Sequence, residues 1–327
     1  MKQGFTFERA LSYPFSAPHL GSFPWMFALS YALAFLALFA VIGLLGWRDF
    51  AGWIAMMETV SGQASEPSPE EAFSMILGAM GPLFLWGVVG GLAGWVLWAM
   101  FEAASQRRYI WGKGFSLGFG GDELRLMGVG FLWWLMSAVI FALPILAMLS
   151  MFSVFLDGSF TELSEDEVSA RLMGPAMLAP LLMLLCFPVY VFMATRLSPC
   201  FGLTVKEKRV RFFDAWNVSR GRFWPILGAF VILSIGGWVI SQVVMGIVQA
   251  VMMPALLSMP TGDAVSGAEV TAFFTSPGFL VPMGLLYFLM FMVQGLMQHV
   301  VGAPAALAAR HDPRNDLDDV ERVDIFS

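Results

Sequence analysis

Apolar and polar positions in this chain do not alternate; they separate into blocks. Six stretches without a single Asp, Glu, Lys or Arg (10–47, 72–101, 126–156, 172–195, 223–262 and 270–309) are divided by short charged segments. Each stretch is apolar on all sides, whereas a helix on a water-soluble core keeps a polar face at the 3.6-residue period. A helix crosses the hydrocarbon layer of a bilayer in about 20 residues. The pattern predicts an all-α polytopic membrane protein with six transmembrane helices. The spans are expected at about 23–47, 76–101, 126–152, 173–196, 225–252 and 279–304, within a transmembrane domain covering 23–309. Residues 1–22 are expected to form an interfacial segment, and 310–327 an acidic tail.

Composition agrees, since a chain 58% hydrophobic and 13% charged is too apolar for an ordinary soluble domain. Charge then sets orientation. All but two of the 18 Lys and Arg, Arg48 and Arg171, fall at the N-terminus, in the second and fourth loops, or in the tail. The other three loops hold half of the 24 Asp and Glu. Basic loops stay on the cytoplasmic side, so both termini are expected there. Lys2 and Arg9 precede an apolar run as in a signal peptide, but that run is too long and lacks a small-residue cleavage site. It reads as a retained first span.

The three acidic loops share a local signal. Ser68-Pro-Glu-Glu71, Ser164-Glu-Asp-Glu167 and Ser266-Gly-Ala-Glu269 each place Ser three residues before Glu, the spacing of a capping box that opens a helix. Shifting the third copy onto the second by 102 residues also aligns Pro175 with Pro277 and Pro180 with Pro282. The basic segments mix aromatics with charge, as short helices lying in the headgroup plane would. They are Phe5–Ala10, Phe115–Phe119 and Arg211–Pro225. These features predict a three-fold internal repeat of helix hairpins with interfacial elbow helices, related by an axis along the membrane normal.

Arg196-Leu-Ser-Pro199, Phe213-Asp-Ala-Trp216 and Ser219-Arg-Gly-Arg-Phe-Trp224 carry a resemblance. This stretch is similar to the six-helix membrane domain that precedes some bacterial glycerophosphodiester phosphodiesterases, and to stand-alone bacterial membrane proteins like it. The opening Phe5–Pro14 has the same look. The resemblance implies a multi-pass protein of the bacterial inner membrane. It does not carry over the phosphodiesterase activity, because the sequence shows no soluble catalytic domain after span six.

Candidate chemistry is sparse. Cys186 and Cys200 are too far apart along one helix for a disulfide, and no His or Cys cluster has metal-ligand spacing. Neither a catalytic constellation nor a cofactor motif is present, so an enzyme is not expected. His299 is the titratable side chain that stands well inside a span, where such residues point to function. With Gln294 and Gln298 it forms a candidate intramembrane polar site, although interhelical hydrogen bonding explains these residues without a function and is the favoured reading. Gln242 and Gln249 lie at other depths. Gly87, Gly90, Gly91 and Gly94 supply two overlapping G-x-x-x-G pairs, which let backbones approach closely.

The fourth loop carries the densest signal. Lys206, Lys208, Arg209, Arg211, Arg220 and Arg222 are interleaved with aromatics that include Trp216 and Trp224. Cations near an anionic leaflet and aromatics at headgroup level both anchor. The sequence thus favours a non-enzymatic protein that binds anionic lipids or other membrane proteins through these elbows, with no nucleic-acid partner. The alternative is a transporter of a small solute or lipid, with a pathway between the repeats.

Overall fold

The computed structural model describes residues 5–16, 21–62, 69–156, 165–258 and 267–314. Every regular element among them is helical. The first, α1 (Phe7–Ser12), opens on Thr6, whose hydroxyl accepts the Arg9 N–H at 3.3 Å; a 3-10 turn (Tyr13–Phe15) follows. Next come α2 (Phe23–Gly62) and α3 (Pro69–Trp111), then α4 (Gly121–Ile140) and α5 (Ala142–Leu156). The chain continues through α6 (Glu165–Leu197), α7 (Cys200–Glu207), α8 (Ala215–Val218), α9 (Phe223–Leu257), α10 (Gly267–Thr275) and α11 (Pro277–Arg310). Six helices are long and apolar enough to cross a membrane, so the chain is a multi-pass membrane protein.

Several helices overrun the limits that charge alone suggests. Helix α3 has 43 residues, about 64 Å at 1.5 Å per residue, roughly twice the hydrocarbon thickness. Nothing between Glu102 and Ile110 breaks a helix. It ends where Gly112 adopts φ 62°, the left-handed geometry of a C-terminal cap, and donates its N–H to the Arg108 carbonyl at 3.0 Å. The rod formed by α4 and α5 breaks at Phe141, three residues before Pro144, whose ring would clash with the Ile140 carbonyl in a straight helix.

Helix α11 is the centre of the bundle. It packs along α2, α9 and α3, and its last turns lie against α7. Burial is greatest at the end where α1, α7, α8 and the 112–120 segment meet, hereafter the elbow end. There Ala303, Ala306–Ala309, Leu203, Ile110 and Ile226 are fully buried or nearly so. The hairpin of α5 and α6 packs mainly on itself and meets α4, α8 and α9 along short seams. Helices α2 and α3 close on each other through small residues. A Cβ on Gly90 would lie 2.8 Å from the Ile42 side chain, and one on Gly46 would lie 3.1 Å from Trp86. Trp86 also donates its ring N–H to Asp49 at 2.8 Å.

Local structure differs from the sequence expectation in three places, and the capping boxes are not among them. Ser68, Ser164 and Ser266 lie outside the described residues, although α3, α6 and α10 each begin at the residue that follows. Residues 112–119 form no elbow helix; Phe115 instead packs edge-on against Phe23 and Phe27, at 5.7 and 6.0 Å between ring centroids. The aligned prolines act differently: Pro175 sits inside the continuous α6, while Pro277 opens α11 after an extended Ser276. A residue before proline is driven out of the helical region, which separates α10 from α11. Finally, the tail does not start at 310. His311 and Asp312 are buried, because Arg314 pairs with Asp312 at 2.8 Å and with Asp214 of the elbow at 3.2 Å. Residues 315–327 lie outside the described residues.

Candidate functional site

Between α3, α4, α6, α9 and α11 lies a cavity of about 1210 Å³. Aromatic and small residues build its walls: Trp95 and Trp98 on α3, Trp133 and Trp134 on α4, Tyr190 on α6, and Phe230 on α9. Gly91 opens space on α3, where a Cβ would meet nothing within 4 Å. Helix α6 closes one side of the cavity, and the α5–α6 hairpin to which it belongs is the least firmly seated part of the bundle.

The polar part of the lining is concentrated. Glu102, at 6% exposure, accepts the Gln106 amide at 2.8 Å on one oxygen and the Gln298 amide at 3.0 Å on the other. Helical geometry brings Glu102 and Gln106 together, because residues four apart share a face. Gln298 reaches them from α11. Thr195 and Ser198 also line the cavity, but their hydroxyls turn back to the Val191 and Thr195 carbonyls of α6. No ion pair to Glu102 is made among the described residues. Among these residues, no group of three His, Cys, Asp or Glu could hold a metal ion.

His299 faces elsewhere. Its ring pairs with the Ser105 hydroxyl at 2.8 Å and the Tyr109 hydroxyl at 3.1 Å, and it stacks on the Tyr109 ring at 4.5 Å. Phe23 and Phe27 of α2 cover it, at 5.0 and 5.4 Å. Tyr13 extends the set by donating to the Tyr109 carbonyl at 2.9 Å. Fully buried, this histidine joins α2, α3 and α11 and stands apart from the cavity lining. Of the three residues expected to form one polar site, only Gln298 lines the cavity, and Gln294 is exposed. Gln242 and Gln249 are likewise exposed, on α9.

The cations of the fourth loop divide into two sets. Lys206 is buried and donates to the Ala309 and Arg310 carbonyls at 3.0 and 3.2 Å, closing the C-terminus of α11. Arg222 reaches the Ala308 carbonyl at 3.3 Å and lies over the Phe5 ring. Arg211 pairs with Glu207 and Asp214, each at 2.7 Å, and Arg209 also reaches Glu207. Burial works to raise the Asp214 carboxyl, yet hydrogen bonds from Arg211 and Arg314 outweigh it and hold the group below its ordinary range. The second set stays outside: Lys208, which takes φ 54° at the end of α7, and Arg220 are both exposed. Phe213 and Trp224 beside them are 74% and 76% exposed, and Trp216 is partly so. Under this rim, Arg196 lies over Phe192, Trp216 and Phe223 at 5.4–5.6 Å and lines a smaller hollow of about 540 Å³.

Glu102 escaped the sequence reading because it stands one residue past an uncharged stretch and reads as the start of a loop. The available signal was the unbroken helical run to Gly112, with Glu102 and Gln106 on one face. Fold and cavity together define a six-span, all-helical membrane protein with an open cavity between its helices. Comparison with family models, with curated proteins and with solved structures finds no match for this chain.

Proposed function

We propose that this protein binds an apolar or amphiphilic molecule within the membrane and acts as its carrier or receptor. The observation that carries the reading is the large aromatic-walled cavity with a buried carboxyl and two amides gathered in its lining. Binding sites are commonly concave and apolar with a few converging polar groups, at about 300–1,000 Å³. The expected three-copy organisation belongs to this reading, because repeats often frame a central pathway. The elbow end is taken to face the cytoplasm of a bacterial inner membrane, on the distribution of Lys and Arg. Nothing in the lining requires a chemical step, so the role is binding, not catalysis.

Gentle extraction followed by native mass spectrometry tests the proposal. The chain should retain small apolar or amphiphilic molecules, and Gly91→Leu, which extends a side chain into the open space, should release them. Equal retention by the variant would defeat it.

A second reading rests on the outward set of the elbow. Lys208 and Arg220, with Phe213, Trp216 and Trp224, form an anchoring surface for anionic lipid headgroups or for other membrane proteins. Each cation contributes about 1 kcal/mol near an anionic surface. Neutralising Lys208 and Arg220 together should lower the number of anionic lipids retained without loss of the fold. Arg222 is unsuitable for that test, since it holds the end of α11.

A further inference from the structure

We infer that the cavity selects an amphiphile whose head is a protonated primary amine. The inference rests on the cavity-binding proposal and adds the chemistry of the ligand.

Hydrogen-bond capacity around Glu102 is unbalanced. Gln106 and Gln298 each turn an amide nitrogen to the carboxyl group, one to each oxygen. Gln298 has a further long contact to the Trp98 carbonyl at 3.5 Å. Both amides present N–H to the carboxyl group, which a bound cation would hold ionised and acceptor-only. Each is then left with its carbonyl oxygen, and Gln106 Oε1 and Gln298 Oε1 are both buried without a hydrogen-bond partner. A carboxylate offers about four lone-pair sites, of which the amides occupy two. The cluster therefore has more spare acceptors than donors: two amide carbonyls and two carboxylate lone pairs against the second N–H of Gln106.

Orphan acceptors held among apolar side chains are costly, and an uncompensated charge there costs more. The missing component is a compact cation bearing several N–H groups. An alkylammonium head has three donors and one positive charge, matching one carboxylate and the two amide carbonyls. The walls supply the rest: four tryptophans bring rings that attract a cation, and the apolar remainder of the cavity accepts a hydrocarbon chain. An anionic head would stand against the Glu102 carboxylate and the two amide carbonyls. A neutral alcohol brings one donor and no charge. A trimethylammonium head brings the charge without any N–H.

Calorimetric titration tests this, with the full chain in lipid nanodiscs and the signal of empty discs subtracted. Octylamine, octanol and octyltrimethylammonium share a tail and differ in the head. At pH 7 octylamine should bind at least tenfold more tightly than octanol, and more tightly than octyltrimethylammonium. Glu102→Gln should remove the preference for the amine while leaving octanol binding in place, and Gly91→Leu should weaken all of them. Equal affinity for octylamine and octanol in the native chain would overturn the inference but spare the cavity reading. So would an amine preference that survives Glu102→Gln. Absence of saturable binding for every head would sink the cavity reading itself. The comparison within the native chain keeps its force even if a variant fails to fold.

Discussion

A missing methyl group fixes how closely α7 approaches α11. A Cβ on Gly202 would stand 2.8 Å from the Ala309 Cβ and 3.2 Å from Gln106 Oε1. Neither helix can yield there, since Lys206 ties α7 to the last carbonyls of α11. Gly202→Ala should therefore destabilise the protein by about 1–3 kcal/mol, the usual cost of overpacking. Thermal unfolding in detergent would reveal it, and an unchanged midpoint would contradict the packing. Gly91 is the contrast: it belongs to a G-x-x-x-G pair that promised close helix packing, yet it borders the cavity. Its neighbours Gly90 and Gly94 are the ones packed against α2. Spacing identifies which glycines share a face, but not which face meets a helix and which meets a void. The same limit applies to His299 and Glu102. Depth along the chain made His299 conspicuous, whereas the three-dimensional partners of each residue separate a clamp from a lining group.

At the scale of elements, the number and rough position of the spans were legible in the sequence, because desolvation forbids charge along whole blocks of chain. Helix ends were not legible in the same way. Charges mark where a helix can leave hydrocarbon, while Gly112 and Phe141 mark where the backbone turns. The elbows illustrate a further gap: cations that look alike in sequence serve as helix caps, ion-pair partners or exposed rim groups according to the fold. Docking of residues 311–314 onto the elbow provides a pH test. Burial favours protonation of Asp214 and Asp312, but their bonds to Arg314 prevail, with Arg211 also bound to Asp214, and both groups are lowered. A lowered carboxyl stabilises fully above its unperturbed value near 4, and that contribution disappears as pH falls through the lowered value. Hydrogen exchange at 311–314 should thus stay constant from about pH 8 to 5, after correction for intrinsic rates, and rise below about 4. A rise between pH 7 and 5 would refute the assignment of these pairs.

For the whole molecule, the buried core lies toward the elbow end and the cavity opens within it, bounded by α6 of the weakly seated α5–α6 hairpin. Phe213, Trp216 and Trp224 are exposed at that end, and on the anchoring reading they lie at one membrane surface. If that surface is cytoplasmic, a cysteine at position 208 in a Cys186→Ser, Cys200→Ser background should react with a membrane-impermeant thiol reagent only in inverted vesicles. Labelling in right-side-out vesicles would reverse the orientation and with it the direction of any transfer through the cavity.

The central place of α11 carries a consequence for biosynthesis. The helix that joins α2, α3, α7 and α9 leaves the ribosome after all of them. Until it arrives, Glu102 lacks Gln298, Tyr109 lacks His299, and Lys206 has no carbonyls to close. The first five spans must therefore wait in the bilayer with their central contacts missing and the Glu102 carboxyl held by Gln106 of its own helix. A chain that stops before residue 277 would leave Glu102 without Gln298 and Tyr109 without His299, however completely its spans had been inserted.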